Sequence, residues 1–325
     1  MKAAWYETNG PARDVLTVGE MPDPIPGPGE VRVRIAASGV NPSDWKARAG
    51  SRPMAGPRVI PHSDGAGVID RVGEGVSEAR IGERVWVWNA QWGRPFGTAA
   101  EFVVLPSEQA VELDSKTSFE AGADLGIPAL TAYHAVTVDG SVDGATVLVT
   151  GGAGAVATYA IQFARLLGAR RILTTVSSAR KAEHARSVGA DVAIDYRNES
   201  VADRVLAATD GRGVDRVIEV DASTNAPLLP RILARHGSCV VYGSSAPQIT
   251  YEFGPMILSG AAVRYFIVYE LANEVRHAAI EQLGDWMRRG LVRHNDVRAY
   301  PLADIAAAHE ASERGDVLGK VVVVP

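Results

Sequence analysis

Cysteine is nearly missing from this 325-residue chain, Cys239 being the single example. One thiol cannot close an intramolecular disulfide or supply the cysteine cluster of a structural zinc lobe. Cys239 lies in the apolar run 238–242 and reads as a buried structural thiol. No uninterrupted apolar stretch approaches membrane-spanning length, and the opening MKAAWYETNG turns polar too soon for a secretory signal. Nor is there an excess of positive charge. The 33 Lys and Arg against 38 Asp and Glu give a formal net charge of −5, which argues against nucleic acid as the main partner. Internal repeats and low-complexity segments are absent. What remains is the composition of a cytoplasmic enzyme, long enough for two domains.

A local absence says more. Residues 145–176 read as strand, glycine-rich turn, helix and strand: a β-branched run to Thr150, then Gly151-Gly152-Ala153-Gly154-Ala155-Val156-Ala157, then an apolar stretch capped by Gly168. Unpaired backbone N–H groups and the helix dipole converge there to make an anion site. The spacing Gly151-x-x-Gly154-x-x-Ala157 is a variant of the dinucleotide fingerprint, with small residues where backbone must approach a pyrophosphate and where helix packs on strand. A NAD site normally carries Asp or Glu at the end of the second strand, yet no acidic residue occurs between Asp143 and Glu183. The strand ends instead in Val176-Ser177-Ser178-Ala179-Arg180-Lys181. Hydroxyls followed by cations suit a 2′-phosphate, so the expected cofactor is NADP (NADPH). The plainer alternative makes Ser177 a helix cap and Arg180 and Lys181 a solvated face.

Around this stretch the texture changes along the chain. Before about Asp114 it is β-rich: Val31, Val33 and Ile35 alternate with Arg32 and Arg34. Short strands are expected at 66–72, 84–88 and 99–105 between Gly-rich turns, the pattern of a partly open barrel. Pro22, Pro24, Pro26 and Pro28 mark an extended connector. A capping box at 117–120 opens a helical segment reaching Leu125, and Pro128 resets the chain before a second helix at 130–136. From 145 onward strands (147–150, 172–176, 192–195, 214–220, 238–243) alternate with helical patterns, including 179–187 and 226–235. That alternation is the mark of a doubly wound parallel sheet. Helices around 273–289 and 302–314 and a strand at 321–324 complete the tail.

Several segments, in collinear order over essentially the whole chain, resemble one family. They are Val40-Asn41-Pro42-Ser43-Asp44, Asp64-Gly65-Ala66-Gly67-Val68-Ile69, Val72-Gly73-Glu74-Gly75-Val76, Ala129-Leu130-Thr131-Ala132-Tyr133, the 151–157 turn and Gly319-Lys320-Val321-Val322. The chain is similar to the medium-chain dehydrogenase/reductase superfamily. That resemblance implies an α/β fold: a GroES-like β-rich catalytic domain (1–123 and 270–325) plus a Rossmann NADP-binding domain (124–269). Zinc alcohol dehydrogenases of that superfamily carry a Cys near position 41 and Gly-His-Glu at the turn beginning at Ser63. Here Asn41 and Ser63-Asp64 stand there, with His62 one residue out of register. The likeness is therefore to the zinc-free branch, the zeta-crystallin-like quinone oxidoreductases and enone reductases, with no metal expected.

The resemblance implies NADPH-dependent hydride transfer to a quinone or an α,β-unsaturated carbonyl. A reductase of a specialised conjugated acid or thioester, and a NADPH-binding protein of low turnover, are the alternatives. Quinone oxidoreductases of the zeta-crystallin type often have Tyr two residues after the Asp, whereas this chain has Asp44-Trp45-Lys46, as in enone reductase relatives. In place of zinc, Asn41 offers an amide and Lys46 an ammonium to charge developing on the acceptor oxygen, and Asp44 orients the loop. Family positions put Thr131 near the nicotinamide and Gly151, Gly154, Ala155 and Val156 at the pyrophosphate. Ser177, Ser178, Lys181 and Tyr196 fall at the 2′-phosphate. Tyr242, Gly243, Ser244, Phe266 and Val268 flank the nicotinamide, and Gly319 and Lys320 complete the set. Trp45 and Trp92 are expected to wall the acceptor pocket, Trp86 to be core, and His62 to be a satisfied loop histidine. Relatives are commonly dimers through an edge strand, for which 262–269 is the candidate.

Overall fold

Alternating Val31, Val33 and Ile35 with Arg32 and Arg34 puts one face of strand Glu30–Val40 in the core and leaves Arg34 exposed. A computed structural model describes residues 1–315 and 317–325 and divides them into two units, 1–127 with 284–325 and 128–283. In the first unit, Glu30–Val40 pairs antiparallel with Asp64–Val72 on one side. On the other it pairs with Phe102–Pro106 along its first half and Lys320–Val324 along its second. Arg84–Val87 and Ala110–Glu112 extend the sheet beyond Asp64–Val72, and Val297–Pro301 extends it beyond Lys320–Val324. The register Val321↔Val40 and Gly39↔Asp64 brings Lys320, Asn41 and Asp64 to one end of three neighbouring strands.

The second unit is a six-stranded parallel sheet in the order Val192–Asp195, Arg171–Val176, Thr146–Val149, Val214–Glu219, Leu233–Val241, Ala262–Tyr265. Helices Ala155–Leu166, Ala179–Ser187 and Val201–Ala208 lie between its strands in the chain. The order reverses between Thr146–Val149 and Val214–Glu219, and ligands of such sheets bind beyond the strand ends at that switch point. Cys239 is fully buried with Leu148, Leu173 and Val217, and burial pushes its thiol up. Ala262–Tyr265 is an edge strand of this sheet.

Some local expectations shift. The helix expected over 226–235 stops at Ile232, because Leu233 enters the parallel ladder opposite Val214 and those backbone bonds replace helical ones. Ser118, not Thr117, caps the short helix Phe119–Gly122 by accepting from Ala121 N–H at 3.2 Å, so the expected 117–120 box is not formed. A π-turn, Leu125–Ala129, follows around Pro128, which has no N–H to give an α-helical bond. The chain re-enters the first unit inside helix Asn273–Arg288 rather than ahead of it.

His62 is fully buried, as is His309, and their Nε2 atoms are 2.9 Å apart. The direction of the bonds follows from the acceptor at the far end. Thr98 Oγ1 donates to the Asp64 carbonyl at 2.5 Å, so it accepts from Ser38 Oγ at 2.7 Å, and Ser38 accepts from His62 Nδ1 at 2.8 Å. His62 Nε2 therefore accepts from His309 Nε2–H. Burial holds both imidazoles neutral, that of His309 pushed down to about 3 with the nearby Arg48 charge adding to the effect. A folded-state value below the unfolded one means the unfolded chain binds more protons, so this contribution to stability falls as pH drops below about 6.5. Between about pH 7.5 and about pH 5.5, each such histidine costs about 1.4 kcal/mol. Urea unfolding at both pH values is expected to show His309→Gln losing about that much less than the wild type.

Candidate functional site

Asn41 closes its strand and N-caps helix Pro42–Arg48, with Pro42 at the first helical position, where a missing N–H costs nothing. Its backbone N–H donates to Asp44 Oδ2 at 2.7 Å. Its side chain is held at both ends: Nδ2 donates to Asp64 Oδ2 at 2.8 Å and Oδ1 accepts from Lys320 Nζ at 2.6 Å. Lys320 Nζ also lies 3.7 Å from Asp64 Oδ2 and 3.4 Å from Asp124 Oδ1. Ile127 N–H donates to Asp64 at 3.0 Å, and Asn295 Nδ2 donates to Asp124 at 2.6 Å. Asn41, Asp44, Asp64, Asp124 and Lys320 are all buried. Burial pushes the Asp44 carboxyl up to about 7, with the Asn41 N–H pulling the other way. Burial likewise raises Asp64 to about 6, opposed by Lys320, Asn41 and the Ile127 N–H. Gly126 is required beside this cluster, since a Cβ there would lie 2.2 Å from Asp64 Oδ1.

The same unit holds an open cavity of about 400 Å³ walled by Tyr6, Arg52, Pro53, Ala55, Gln91 and Trp92. Trp45 is partly buried in helix Pro42–Arg48, with Lys46 Nζ 5.6 Å from its ring centroid, and is not among these wall residues. Trp86 is core.

In the second unit the glycine turn follows strand Thr146–Val149. Gly151 has φ +69°, and its N–H donates to Thr175 Oγ1 at 3.0 Å. A Cβ on Gly152 would lie 2.0 Å from Thr174 Oγ1, so only glycine lets the turn sit on the neighbouring strand. Gly154 caps helix Ala155–Leu166 without a side-chain hydrogen bond, which leaves the helix N-terminus built from backbone N–H groups. A cavity of about 620 Å³ opens at the switch point, walled by Thr150, Gly151, Thr175, Tyr196, Asp221 and Asn225 among others. Strand Arg171–Val176 ends at Ser177 and Ser178. Ser178 caps the next helix, accepting from Lys181 N–H at 3.4 Å, and Tyr196 N–H donates to the Val176 carbonyl at 3.1 Å. The Tyr196 ring, 52% exposed, is therefore beside the place where a NAD site would carry its carboxylate.

Residues 27–115 match the alcohol dehydrogenase GroES-like domain, and residues 155–285 match the zinc-binding dehydrogenase domain. The quinone oxidoreductase of Pseudomonas aeruginosa is 32% identical over 319 residues, 96% of each chain. The chain belongs to the quinone oxidoreductase family of medium-chain dehydrogenase/reductases. It is accordingly an oxidoreductase, with a GroES-like domain and a Rossmann-like domain. The crystal structure of Pseudomonas syringae quinone oxidoreductase superimposes with a TM-score of 0.91 at 29% identity, covering 100% of this chain and 99% of that one. Escherichia coli quinone oxidoreductase complexed with NADPH gives 0.89 at 25% identity, covering 100% of both. Among the described residues no helix is long and apolar enough to cross a membrane.

For this family member, the residues expected from sequence separate as follows. Asn41 and Asp44 share the buried cluster, while Lys46 rides on the Trp45 face. Lys320, expected among the cofactor ligands, turns its ammonium to Asn41, and Gly319, at φ +81°, packs against the Asp296 carbonyl. Gly151 and Tyr196 share the switch-point cavity, with Ala155 and Val156 opening the adjoining helix. Thr131 is buried in helix Leu130–Thr137, and Val268 in a short turn. Phe266 meets the His134 ring edge-on at 4.6 Å. Tyr242 N–H donates to the Glu219 carbonyl at 3.1 Å, Gly243 approaches the Val220 carbonyl, and Ser244 Oγ donates to Ala246 O at 2.6 Å. Sequence reasoning missed Asp64, Asp124 and Asn295 as a unit, and Thr150, Asp221 and Asn225 around buried Glu219. The one signal for the first set was Asp64, which opens the Asp64-Gly65-Ala66-Gly67 segment that carried part of the resemblance.

Removing one partner of a buried ion cluster is costly, because the remaining charges lose their compensation. Lys320→Met is expected to lose about 3–5 kcal/mol in urea unfolding at neutral pH. Part of that should return on acidification, since Asp64, which burial already raises to about 6, then binds a proton in the folded state.

Proposed function

We propose that this protein is an NADPH-dependent reductase that delivers hydride to a quinone or an α,β-unsaturated carbonyl without zinc. The observation that carries this reading is the Lys320 ammonium among Asn41, Asp64 and Asp124. Zinc, implied by the name of one matching domain, does not fit this donor set. Ser63 precedes Asp64 where a histidine ligand would stand, and Asp64 is engaged by Asn41, Ile127 and a fixed cation. Among the described residues no group of three or more His, Cys, Asp or Glu forms a metal-binding set. An acceptor already conjugated needs no Lewis acid, and positioning with hydrogen-bond donors suffices.

The second unit's residues fit NADPH. Gly151 and Gly152 let backbone approach a pyrophosphate, the N-terminus of Ala155–Leu166, capped by Gly154, receives its charge, and Ser177, Ser178, Lys181 and Tyr196 suit the 2′-phosphate. NADPH, when bound, supplies the hydride. Asn41, clamped by Lys320 and Asp64, presents a fixed amide at the end of its strand and donates a hydrogen bond to charge growing on the acceptor oxygen. Trp92 walls the acceptor pocket. Lys46, in helix Pro42–Arg48, is a second donor, and Asp44 holds the loop through the Asn41 N–H.

Steady-state NADPH oxidation against para-quinones, ortho-quinones, enones and simple alcohols tests the reading. Turnover is expected with the conjugated acceptors and not with alcohols or their ketones. Ser177→Asp should lower the NADPH-over-NADH ratio of kcat/KM by at least about tenfold, because a carboxylate repels the 2′-phosphate and accepts from a ribose hydroxyl. An unchanged ratio would contradict the phosphate assignment.

A further inference from the structure

The acceptor cavity has an electrostatic bias that a neutral quinone does not use. Arg52 is the one cation on its wall, and no Asp or Glu lines it among the described residues. The guanidinium is positioned by neutral groups. Its Nη2 donates to Gln91 Oε1 at 2.8 Å, and its carbon lies 5.0 Å from the Trp92 ring centroid. Gln91 is itself buried and directional, because its Nε2 donates to the Arg94 carbonyl at 3.0 Å and so turns Oε1 toward Arg52. An amide oxygen and an aromatic face orient a cation without cancelling its charge. Asp44, buried in the Lys320 cluster and not part of the cavity wall, feels the Arg52 charge. Tyr6 also lines the cavity, and burial pushes its phenol up.

We propose that this cavity selects acceptors carrying a carboxylate, with the Arg52 fork pairing the anion while Trp92 packs on the conjugated ring or chain. The inference rests on the reading above and adds a substrate class to it: a conjugated carbonyl or quinone bearing an acidic group. A planar five-donor fork held in place matches a carboxylate bidentately, and little conformational freedom is lost on binding. A cavity of about 400 Å³ accommodates one such ring.

Two measurements separate this inference from the reading it builds on. The first needs no turnover: isothermal calorimetry of 2-naphthoate and of 2-naphthamide with the wild-type chain. The acid is expected to bind at least about tenfold more tightly than the amide. In Arg52→Met that ratio should fall to within about twofold of unity, and Arg52→Lys should retain part of it. Equal affinities in the wild type, or a ratio that survives Arg52→Met, would overturn the assignment. The second compares kcat/KM for 1,4-naphthoquinone-2-carboxylate and its methyl ester with NADPH, where the wild-type ratio should favour the acid, chiefly through KM. Failure to reduce either quinone, with naphthoate still discriminated, would strike the reductase reading and leave the anion site standing. Reduction of both without preference would strike the anion site alone.

Discussion

A single ammonium in a dry volume sets the conditions for the first unit. Lys320 reaches Asn41, Asp64 and Asp124 because Val321 pairs with Val40 and Asp64 with Gly39, so three strands end together. Buried carboxylates without a cation would take up protons or force the site open. With the cation present, Asn41 has no freedom to rotate: its carbonyl end answers the ammonium and its amide end the carboxylate. Gly126 and the Ile127 N–H, from the turn around Pro128, close the far side of Asp64. On the reading proposed above, a rigid amide serves a reductase without a metal, since a donor that is already oriented pays no reorganisation cost when charge develops.

The second unit solves a different problem with backbone rather than side chains. On the proposed reading a dinucleotide brings several negative charges, and the sheet meets them where its strand order reverses, with a turn too tight for any Cβ at Gly152 and a helix whose cap, Gly154, has no side chain. Asp221 and Glu219 lie at the neighbouring strand end, where Thr150 and Asn225 donate to Glu219. Asp221 shares the cavity wall with Tyr196 and Glu199, and its carboxylate accepts from Ser223, Thr224 and Ser245.

Much of this was legible in the chain because it is local. The strand–turn–helix of 145–176, the helix 179–187 and the strand 192–195 follow from periodicity and glycine placement, which depend on neighbours within a turn or two. The fate of 226–235 was not legible: its residues favour a helix, and a ladder partner at Val214 decides otherwise. The candidate site divides along the same line. Asn41 and Asp44 are three apart and cap one helix, so sequence pairs them. Lys320 joins them through strand register, and Asp124 and Asn295 through loops far away in the chain, and no spacing encodes that. Arg52 and Gln91 were likewise invisible, because their contact needs two loops to meet.

On the proposed reading the second unit contributes a phosphate-binding turn and the first a clamped amide, whose cation is Lys320 rather than zinc. Elemental analysis of the purified chain, paired with NADPH–quinone turnover before and after exhaustive chelation, tests that claim most directly. The account predicts no stoichiometric zinc and unchanged turnover. One zinc per chain, lost together with activity on chelation, would contradict it.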